Sequence, residues 1–292
     1  MNETVISIKA YWSLIRSKFQ LPSIISMLVG LLYSLYSGSR YIPDFKLIAV
    51  AILVTGPFVA GGALVLNQVC DYAYDRNSMK GNLPIASGKI KKEKGACLSL
   101  ILFSLGELAS AMIGMQATIA TATAICFSIF YSVPPMKFKA RPALDSISNG
   151  LCYGVFPTLV GWTVAARLSF EAVYICLPLF LLFTGSHILL AIPDIRDDRE
   201  SGMVTSAVVL GQTNAIRAAG FLWLLTAILL ATFITTRLFP LQNLAVLPIL
   251  VLGLMELMRS NPAQLDKTFS RLKFVSSLMG LIFALGFLSA LV

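Results

Sequence analysis

The stretch Asn67-Gln-Val-Cys-Asp71-Tyr-Ala-Tyr-Asp75 follows directly on an apolar run long enough to cross a lipid bilayer. A second stretch, Asp194-Ile-Arg-Asp197-Asp198-Arg-Glu200, follows another such run. Carboxylates at the edge of hydrocarbon are costly unless something offsets their desolvation. The first cluster has i, i+4, i+8 spacing, so on one helix its members share about 80° of arc at roughly 100° per residue. Two such clusters of oxygen ligands suit Mg²⁺, which usually shares its coordination shell with substrate phosphates.

The composition around these clusters is that of an integral membrane protein. Hydrophobic residues make up 57% of the 292 residues and charged residues 13%, about half the usual share for a soluble domain. We predict an all-α fold in which nine transmembrane helices surround a central cavity, with residues 1–292 forming one transmembrane domain. The first 19 residues do not resemble a cleavable signal peptide. The predicted spans are 20–38, 47–67, 96–114, 116–132, 145–165, 171–193, 215–236, 240–257 and 273–291.

The basic residues predict the orientation of the chain in the membrane. With the N-terminus in the cytoplasm, all but four of the 23 lysines and arginines fall on the cytoplasmic side. The four on the other side are Arg40, Lys46, Arg167 and Arg237. This excess follows the positive-inside rule and predicts a multi-pass protein of the cell membrane, with both acidic clusters facing the cytoplasm. The net charge of +9 is then explained without nucleic acid, since no basic domain stands outside the membrane.

Basic residues follow each acidic cluster and are candidates for binding a diphosphate. Arg76 comes directly after the first cluster, and Arg199 lies within the second. Lys137 and Arg141 follow a double proline that ends the fourth span at the membrane edge. Arginine and lysine side chains both hold phosphate oxygens. We therefore expect one cavity facing the cytoplasm, with acidic groups on two sides and basic groups around its rim.

These motifs resemble those of the UbiA-type intramembrane prenyltransferase superfamily over nearly the whole chain. The family motif Asn-x-x-x-Asp-x-x-x-Asp matches Asn67, Asp71 and Asp75, and its Asp-x-x-x-Asp motif matches Asp194 and Asp198. Its Tyr-Ser-x-Pro-Pro-x-Lys segment matches residues 131–137. The resemblance implies a nine-helix bundle whose central cavity opens sideways to lipid. It also implies an enzyme that uses Mg²⁺ to ionise an isoprenyl diphosphate, and a lipophilic acceptor that the resulting allylic cation alkylates.

Site roles follow from the residue types and from this resemblance. The predicted metal ligands are Asn67, Asp71, Asp75, Asp194 and Asp198. The predicted diphosphate-binding residues are Asn67, Arg76, Lys137, Arg141 and Arg199. The predicted catalytic residues are Asp71, Asp75, Asp194, Asp198, Tyr131 and His187. Tyr131 is a candidate to shield the cation, as are other aromatic residues that include Trp162. His187, the single histidine, is a candidate base for the proton lost after alkylation, and a hydrogen-bonded packing role stays open.

Finer features resemble the lycopene elongase branch of the superfamily, whose members add a five-carbon unit to a carotenoid. These features lie in segments 138–150 and 187–202. Two features depart from this pattern. Gln68 stands where the family usually has an aspartate, and Asn82-Leu-Pro-Ile-Ala-Ser-Gly88 resembles a loop of the quinone and chlorophyll enzymes. The expected acceptor is therefore a carotenoid or an aromatic or quinone precursor.

Two other functions are compatible with the same residues. A terpene cyclase of this superfamily would ionise the same diphosphate without a second substrate. A polytopic transporter also carries intramembrane acids and a basic rim, although no repeated pair of spans here is interrupted at mid-depth. Asp145 and Asn149, near the start of the fifth span, could face the cavity, or they could cap the helix and pair with Arg141.

Overall fold

A computed structural model describes residues 3–38, 43–76, 82–259 and 265–291, and all regular structure in these ranges is helical. The all-α prediction is therefore confirmed for this part of the chain. Arg40 and Lys80, two of the basic residues used for the orientation, lie outside the described residues. The helices are α1 (Glu3–Ile15), α2 (Leu21–Tyr36), α3 (Phe45–Cys70), α4 (Tyr72–Arg76), α5 (Lys92–Ser110), α6 (Met115–Ser132), α7 (144–165), α8 (Glu171–Leu190), α9 (Ile195–Glu200), α10 (Ser206–Thr235), α11 (Val246–Arg259) and α12 (Leu265–Leu291).

A helix overlaps each predicted span within the described ranges. By length and composition, four helical stretches are suited to cross a membrane: α3, α6, Glu171–Glu200 and α10. A fifth joins Lys9–Phe19 to α2 across a bend of 48°. The count of nine crossings stays a prediction. The seventh span starts earlier than predicted, at Ser206, because a kink at Gly211 and the polar residues after it hide its first turns in the sequence.

The outward faces of the helices carry large exposed apolar side chains. Examples from five helices are Leu108, Ile119, Phe221, Leu252 and Leu285. A surface of this kind would promote aggregation in water. It is the expected surface in hydrocarbon, where the polar groups must be buried and hydrogen-bonded inside the protein. The helix lengths and this surface together describe an integral membrane protein with several spans.

Helices α2 and α7 cross at backbone contact. A Cβ added at Gly161 would lie 1.8 Å from the carbonyl oxygen of Met27, and one added at Gly30 would lie 2.1 Å from that of Thr158. Side-chain-free positions let membrane helices approach closely and gain van der Waals contact. The second half of α7 is therefore held firmly against α2, and Trp162 lies there, 2% exposed, in an aromatic cluster around Tyr33.

Two wide π-helical turns interrupt the long helices on either side of an internal cavity. Val54–Ala60 of α3 and Gly150–Val155 of α7 are both π-helical. Pro57 lies inside the first segment, where its missing N–H removes one α-helical hydrogen bond. The cavity between α2, α3, α6 and α7 has a volume of about 50 Å³. Its lining includes Thr55, Ala60 and Ala63 from α3, Ala124 and Ser128 from α6, and Tyr153 from α7.

Candidate active site

The first acidic motif lies at a break between two helices. Helix α3 ends at Cys70, Asp71 forms a turn, and α4 begins at Tyr72, so a single continuous helix through Asp75 is not what forms. The N–H of Asp71 still donates to the carbonyl of Asn67 (2.9 Å), and that of Asp75 donates to the carbonyl of Asp71 (2.8 Å). The helical spacing of the three motif residues is thus retained across the break.

Asp71 forms a buried ion pair with Lys139. Lys139 lies in the 3₁₀ turn Phe138–Ala140, and only 8% of its side chain is exposed, against 14% for Asp71. In the orientation that satisfies both neighbours, the amide of Asn67 donates to Asp71 Oδ2 (3.1 Å) and accepts from Lys139 Nζ (3.3 Å). No sequence pattern distinguished Lys139 from Lys137 as the buried cation. The ring of Phe138, the residue before Lys139, packs against Phe127 and Phe130 of α6.

The second acidic motif is joined to the first by a hydrogen bond. The hydroxyl of Tyr74 donates to Asp198 Oδ1 (3.2 Å), and the hydroxyl of Thr205 donates to Oδ2 (3.3 Å). Burial and the neighbouring Asp198 carboxylate raise the pKa of Tyr74, so this phenol remains a donor at neutral pH. Asp75 and Asp198 are both buried, and Asp194 ends the short 3₁₀ turn that leads into α9. This contact brings Tyr74, which lies between Asp71 and Asp75, against the second motif. That the carboxylates of the two motifs share a metal ion stays a prediction.

The predicted basic residues are exposed at the surface, apart from Lys137, which is partly buried. Arg76 is exposed and donates to the hydroxyl of Tyr72 (3.1 Å). Arg199 is exposed on α9, and Lys137 is partly buried with a left-handed backbone (φ 39°). Arg141 donates to the carbonyl of Pro135 (2.9 Å). Their binding of a diphosphate stays a prediction.

Tyr131 and His187, predicted separately, belong to one hydrogen-bonded chain. The hydroxyl of Tyr131 lies 3.3 Å from His187 Nε2, and the hydroxyl of Ser146 lies 3.3 Å from Nδ1. Ser146 in turn bonds to Asp145, which is 1% exposed. Asp145 contacts Ser206 at the start of α10, whereas Arg141 donates to the carbonyl of Pro135. The suggested pairing of Asp145 with Arg141 therefore does not form.

The donor set fits a hard divalent cation. Four carboxylates and one amide oxygen from the two motifs are the ligands that Mg²⁺ takes. Within the ranges that the structure describes, no three or more Asp, Glu, His or Cys side chains stand close enough to form a ready metal-binding group. In this structure the Asp71 carboxylate is paired with the Lys139 ammonium group. The ammonium group supplies the positive charge that a bound metal cation would also supply.

Residues 23–278 match the profile of the UbiA prenyltransferase family. The chain belongs to this family. A lycopene elongase/hydratase from Haloferax volcanii is 32% identical over 165 residues, covering 56% of this chain and 52% of that protein. A digeranylgeranylglyceryl phosphate synthase from Sulfurisphaera tokodaii is 27% identical over 240 residues, covering 80% and 79%. The match to the lycopene elongase/hydratases thus spans between about a third and three fifths of their length.

Solved UbiA structures share the fold of this chain. A UbiA homologue from Archaeoglobus fulgidus bound to GPP and Mg²⁺ has a TM-score of 0.74 at 19% identity, and the match covers 96% of this chain and 99% of that one. A homologue from Aeropyrum pernix K1 has a TM-score of 0.78 at 15% identity, covering 94% and 99%. At these identities the likeness shows the fold. The family match and the apolar helices among the described residues together indicate a multi-pass membrane protein.

The UbiA motif position occupied by Gln68 has a structural role here. The Gln68 amide donates to the carbonyl of Leu14 (3.0 Å) and is 2% exposed, so this side chain ties α3 to α1. Trp162, a candidate to shield a cation, instead donates from Nε1 to the carbonyl of Arg167 (2.9 Å) within the aromatic cluster. Sequence reasoning missed Lys139 and the Tyr74–Asp198 contact, since both depend on how the turns between the long helices fold back.

Proposed function

We propose that this UbiA-family protein is a Mg²⁺-dependent prenyltransferase that ionises an isoprenyl diphosphate and transfers the prenyl group to a lipophilic acceptor. The proposed architecture is one domain over residues 1–292 with nine transmembrane helices, a cytoplasmic N-terminus and a cytoplasmic active site. The site holds the diphosphate between the two acidic motifs and the prenyl chain in the cavity beneath them. Family membership favours this enzyme over the transporter alternative.

The observation that carries the proposal is the Tyr74–Asp198 hydrogen bond. It places one residue of the first motif segment against a carboxylate of the second, although 124 positions separate them in sequence. A contact between the two motif segments supports a site in which their carboxylates share a divalent cation, whereas two unrelated solvated helix ends would not be expected to meet. Metal-bound solved homologues with the same fold are consistent with this use of the motifs.

The reaction begins with cleavage of the allylic C–O bond, and the bonding electron pair leaves with the diphosphate. Bound Mg²⁺ would neutralise the negative charge that develops on this leaving group. Asn67, Asp71, Asp75, Asp194 and Asp198 would hold the metal. Arg76, Lys137, Arg141 and Arg199 would contact phosphate oxygens from the solvent side, and groups aimed at developing charge lower the barrier.

The prenyl chain and the acceptor require an apolar, water-poor space next to the carboxylates. Ala63 lines the cavity one turn before Asn67 on α3, and Ser128 lines it one turn before Tyr131 on α6. The cavity therefore begins directly beside the polar site. Its lining is apolar apart from hydroxyl and thiol groups, so it fits hydrocarbon and gives no counter-charge to an acidic acceptor.

The acceptor that these features favour is a long unsaturated hydrocarbon, as a lycopene elongase-like enzyme would use. An acceptor double bond would attack the allylic cation, form the new C–C bond and leave a second cation on the acceptor. Loss of a proton from the adjacent carbon would then restore a double bond. Tyr131 and His187 are the proposed proton-accepting pair, because their side chains are hydrogen-bonded to each other beside the cavity.

The test measures diphosphate release from radiolabelled C5 to C20 isoprenyl diphosphates by purified protein, with and without Mg²⁺. We expect release that depends on Mg²⁺ and falls at least about 100-fold in Asp71→Asn or Asp198→Asn, because each loses a ligand carboxylate. Asp44→Asn is the matched control. Asp44 caps α3 by accepting from the N–H of Lys46 (3.0 Å), and asparagine caps equally well.

Acceptor choice is tested by adding lycopene, a prenylated glyceryl phosphate or a hydroxybenzoate in liposomes. A prenylated lycopene product supports the carotenoid branch. A cyclic hydrocarbon formed without acceptor would instead identify a cyclase. Absence of diphosphate release at every chain length would refute the enzymatic proposal.

A further inference from the structure

We infer that Asp145 is a positioning residue for the proton-accepting pair. Through Ser146 it fixes His187 as the tautomer protonated at Nδ1, which leaves the Nε2 lone pair facing the Tyr131 hydroxyl. Through Ser206 it ties this pair to the second acidic motif. The chemical part of this inference rests on the proposed function, whereas the assignment of the tautomer stands on the hydrogen bonds alone.

The Asp145 carboxyl group accepts four hydrogen bonds, three at Oδ1 and one at Oδ2. Its carboxyl group accepts from the backbone N–H of Ser146 (2.7 Å), the backbone N–H of Ser206 (2.7 Å) and the hydroxyl groups of both serines. The Ser206 hydroxyl itself accepts from the N–H of Ala143 (2.8 Å), so its own proton is available to the carboxylate. Four donors around two oxygens match an ionised carboxylate, which only accepts.

The carboxylate decides where the single hydroxyl proton of Ser146 points. Ser146 Oγ lies 3.2 Å from Asp145 Oδ1 and 3.3 Å from His187 Nδ1. A charged carboxylate is the stronger acceptor, so the proton points to Asp145 and the oxygen lone pair points to the imidazole. His187 must then donate from Nδ1–H. Its Nε2, 3.3 Å from the Tyr131 oxygen, accepts the phenolic proton.

This arrangement gives the proton lost after alkylation a complete path. The C–H bonding pair of the acceptor cation becomes the new double bond, and its proton passes to the Tyr131 oxygen. The phenolic proton moves at the same time to His187 Nε2, which becomes an imidazolium ion. The Asp145 carboxylate, one serine away, stabilises that charge. Water could otherwise add to the cation and give an alcohol, so the orientation of this chain bears on which product forms.

Two neighbouring residues connect this chain to the second acidic motif. Thr205 donates to Asp198 and also caps α10, since its hydroxyl accepts from the N–H of Val208 (3.3 Å). Ser206, the next residue, bonds to Asp145. The first residues of α10 therefore fix Asp198 of the second acidic motif and Asp145 of the proton-accepting chain relative to each other.

The tautomer can be observed directly because His187 is the only histidine in the chain. Full-length protein, purified without a polyhistidine tag and labelled with ¹⁵N in the histidine ring, gives signals from His187 alone. We expect a protonated Nδ1 and a bare Nε2 in the wild type. In Ser146→Ala, Nδ1 loses its acceptor, and we expect the signals to shift towards the Nε2–H tautomer.

Ser148→Ala is the matched control, since Ser148 lies on the same helix, is 2% exposed, and its hydroxyl has no hydrogen-bond partner among the described residues. It should leave the ring signals unchanged. An Nε2–H tautomer in the wild type, or identical spectra for Ser146→Ala and wild type, would overturn the inference. Asp145→Asn adds a stronger perturbation, and its thermal unfolding curve shows whether the protein still folds.

The products separate this inference from the proposed function. We expect Ser146→Ala to retain diphosphate release, while the ratio of the proton-loss product to the alcohol falls about tenfold. This is smaller than the rate factor of about 10²–10⁴ that a positioned base contributes, because the base is misoriented and not removed. Equal loss of release and product would show a merely structural role and count against positioning. An Nδ1–H tautomer in a wild type that releases no diphosphate would refute the enzymatic proposal and leave the tautomer assignment standing.

Discussion

Lys139→Met tests whether the buried lysine holds the place of a cation beside Asp71. Removing one partner of a buried ion pair costs about 3–5 kcal/mol, because the remaining charge is left desolvated. Asp71 is 14% exposed and keeps the amide hydrogen bond from Asn67, so the lower end of this range applies, about 3 kcal/mol. Methionine fills a similar volume, which keeps the packing change small.

We expect the loss of thermal stability in Lys139→Met to depend on Mg²⁺. In EDTA, Lys139→Met should unfold at a clearly lower temperature than the wild type. Added Mg²⁺ stabilises the folded form by about 2.7 kcal/mol at 100 times its dissociation constant. It should stabilise the variant more, because Asp71 no longer has to leave a lysine to reach the metal. The gap between the two melting temperatures should therefore narrow.

The assay is thermal unfolding in detergent with EDTA and with a Mg²⁺ series. Lys46→Met is the control, since Lys46 is an exposed lysine at the start of α3 and its loss removes the same charge. A gap that Mg²⁺ leaves unchanged would refute the role of Asp71 as a metal ligand. No gap in EDTA would refute the stabilising role of the ion pair.

Three further predictions concern the junction, the cavity and the packing. Tyr74→Phe should raise the Mg²⁺ concentration for half-maximal activity about tenfold, because it removes a hydrogen bond to the Asp198 carboxylate whose free energy is at the weak end of about 1.5–3 kcal/mol. A change under twofold in a Mg²⁺ titration contradicts this prediction. Ala124→Phe should lower turnover of C20 substrates about tenfold more than C5 substrates, because it fills the cavity; equal losses across a chain-length series refute the placement of the chain. Gly161→Ala should destabilise by about 3 kcal/mol in thermal unfolding, whereas Gly220→Ala, with open space around it, should not.

The helical architecture could be predicted because each span is a long apolar run bounded by charge or proline. What the sequence hid were the interruptions within these runs. The start of α10 contains polar residues and a kink at Gly211, so its first turns did not register as membrane helix. The break at Asp71 was hidden because its i, i+4 spacing is the same in one helix or two.

The motif carboxylates could be chosen from the sequence because charge at a membrane edge needs a reason. The contacts that organise them could not. Lys139 is one of three basic residues in the turn after Pro135, and only the folded turn shows that its side chain is buried, at 8% exposure, against Asp71. The contact of Asp145 with Ser206 joins residues 61 positions apart, which no local pattern encodes.

The π-helical turn at Val54–Ala60 bears on the direction in which the later side chains of α3 point around the helix axis. Such a turn accommodates one residue more than an α-helical turn. Deleting a single residue there would restore regular winding over residues 54–60, and because the wide turn absorbs that residue, Asn67 would keep its facing relative to the wall of the cavity. A change of one residue in this stretch therefore alters the cavity wall and leaves the carboxylates beyond it in place, whereas the same change in the regular helix after Ala60 would rotate Asn67 by about 100°.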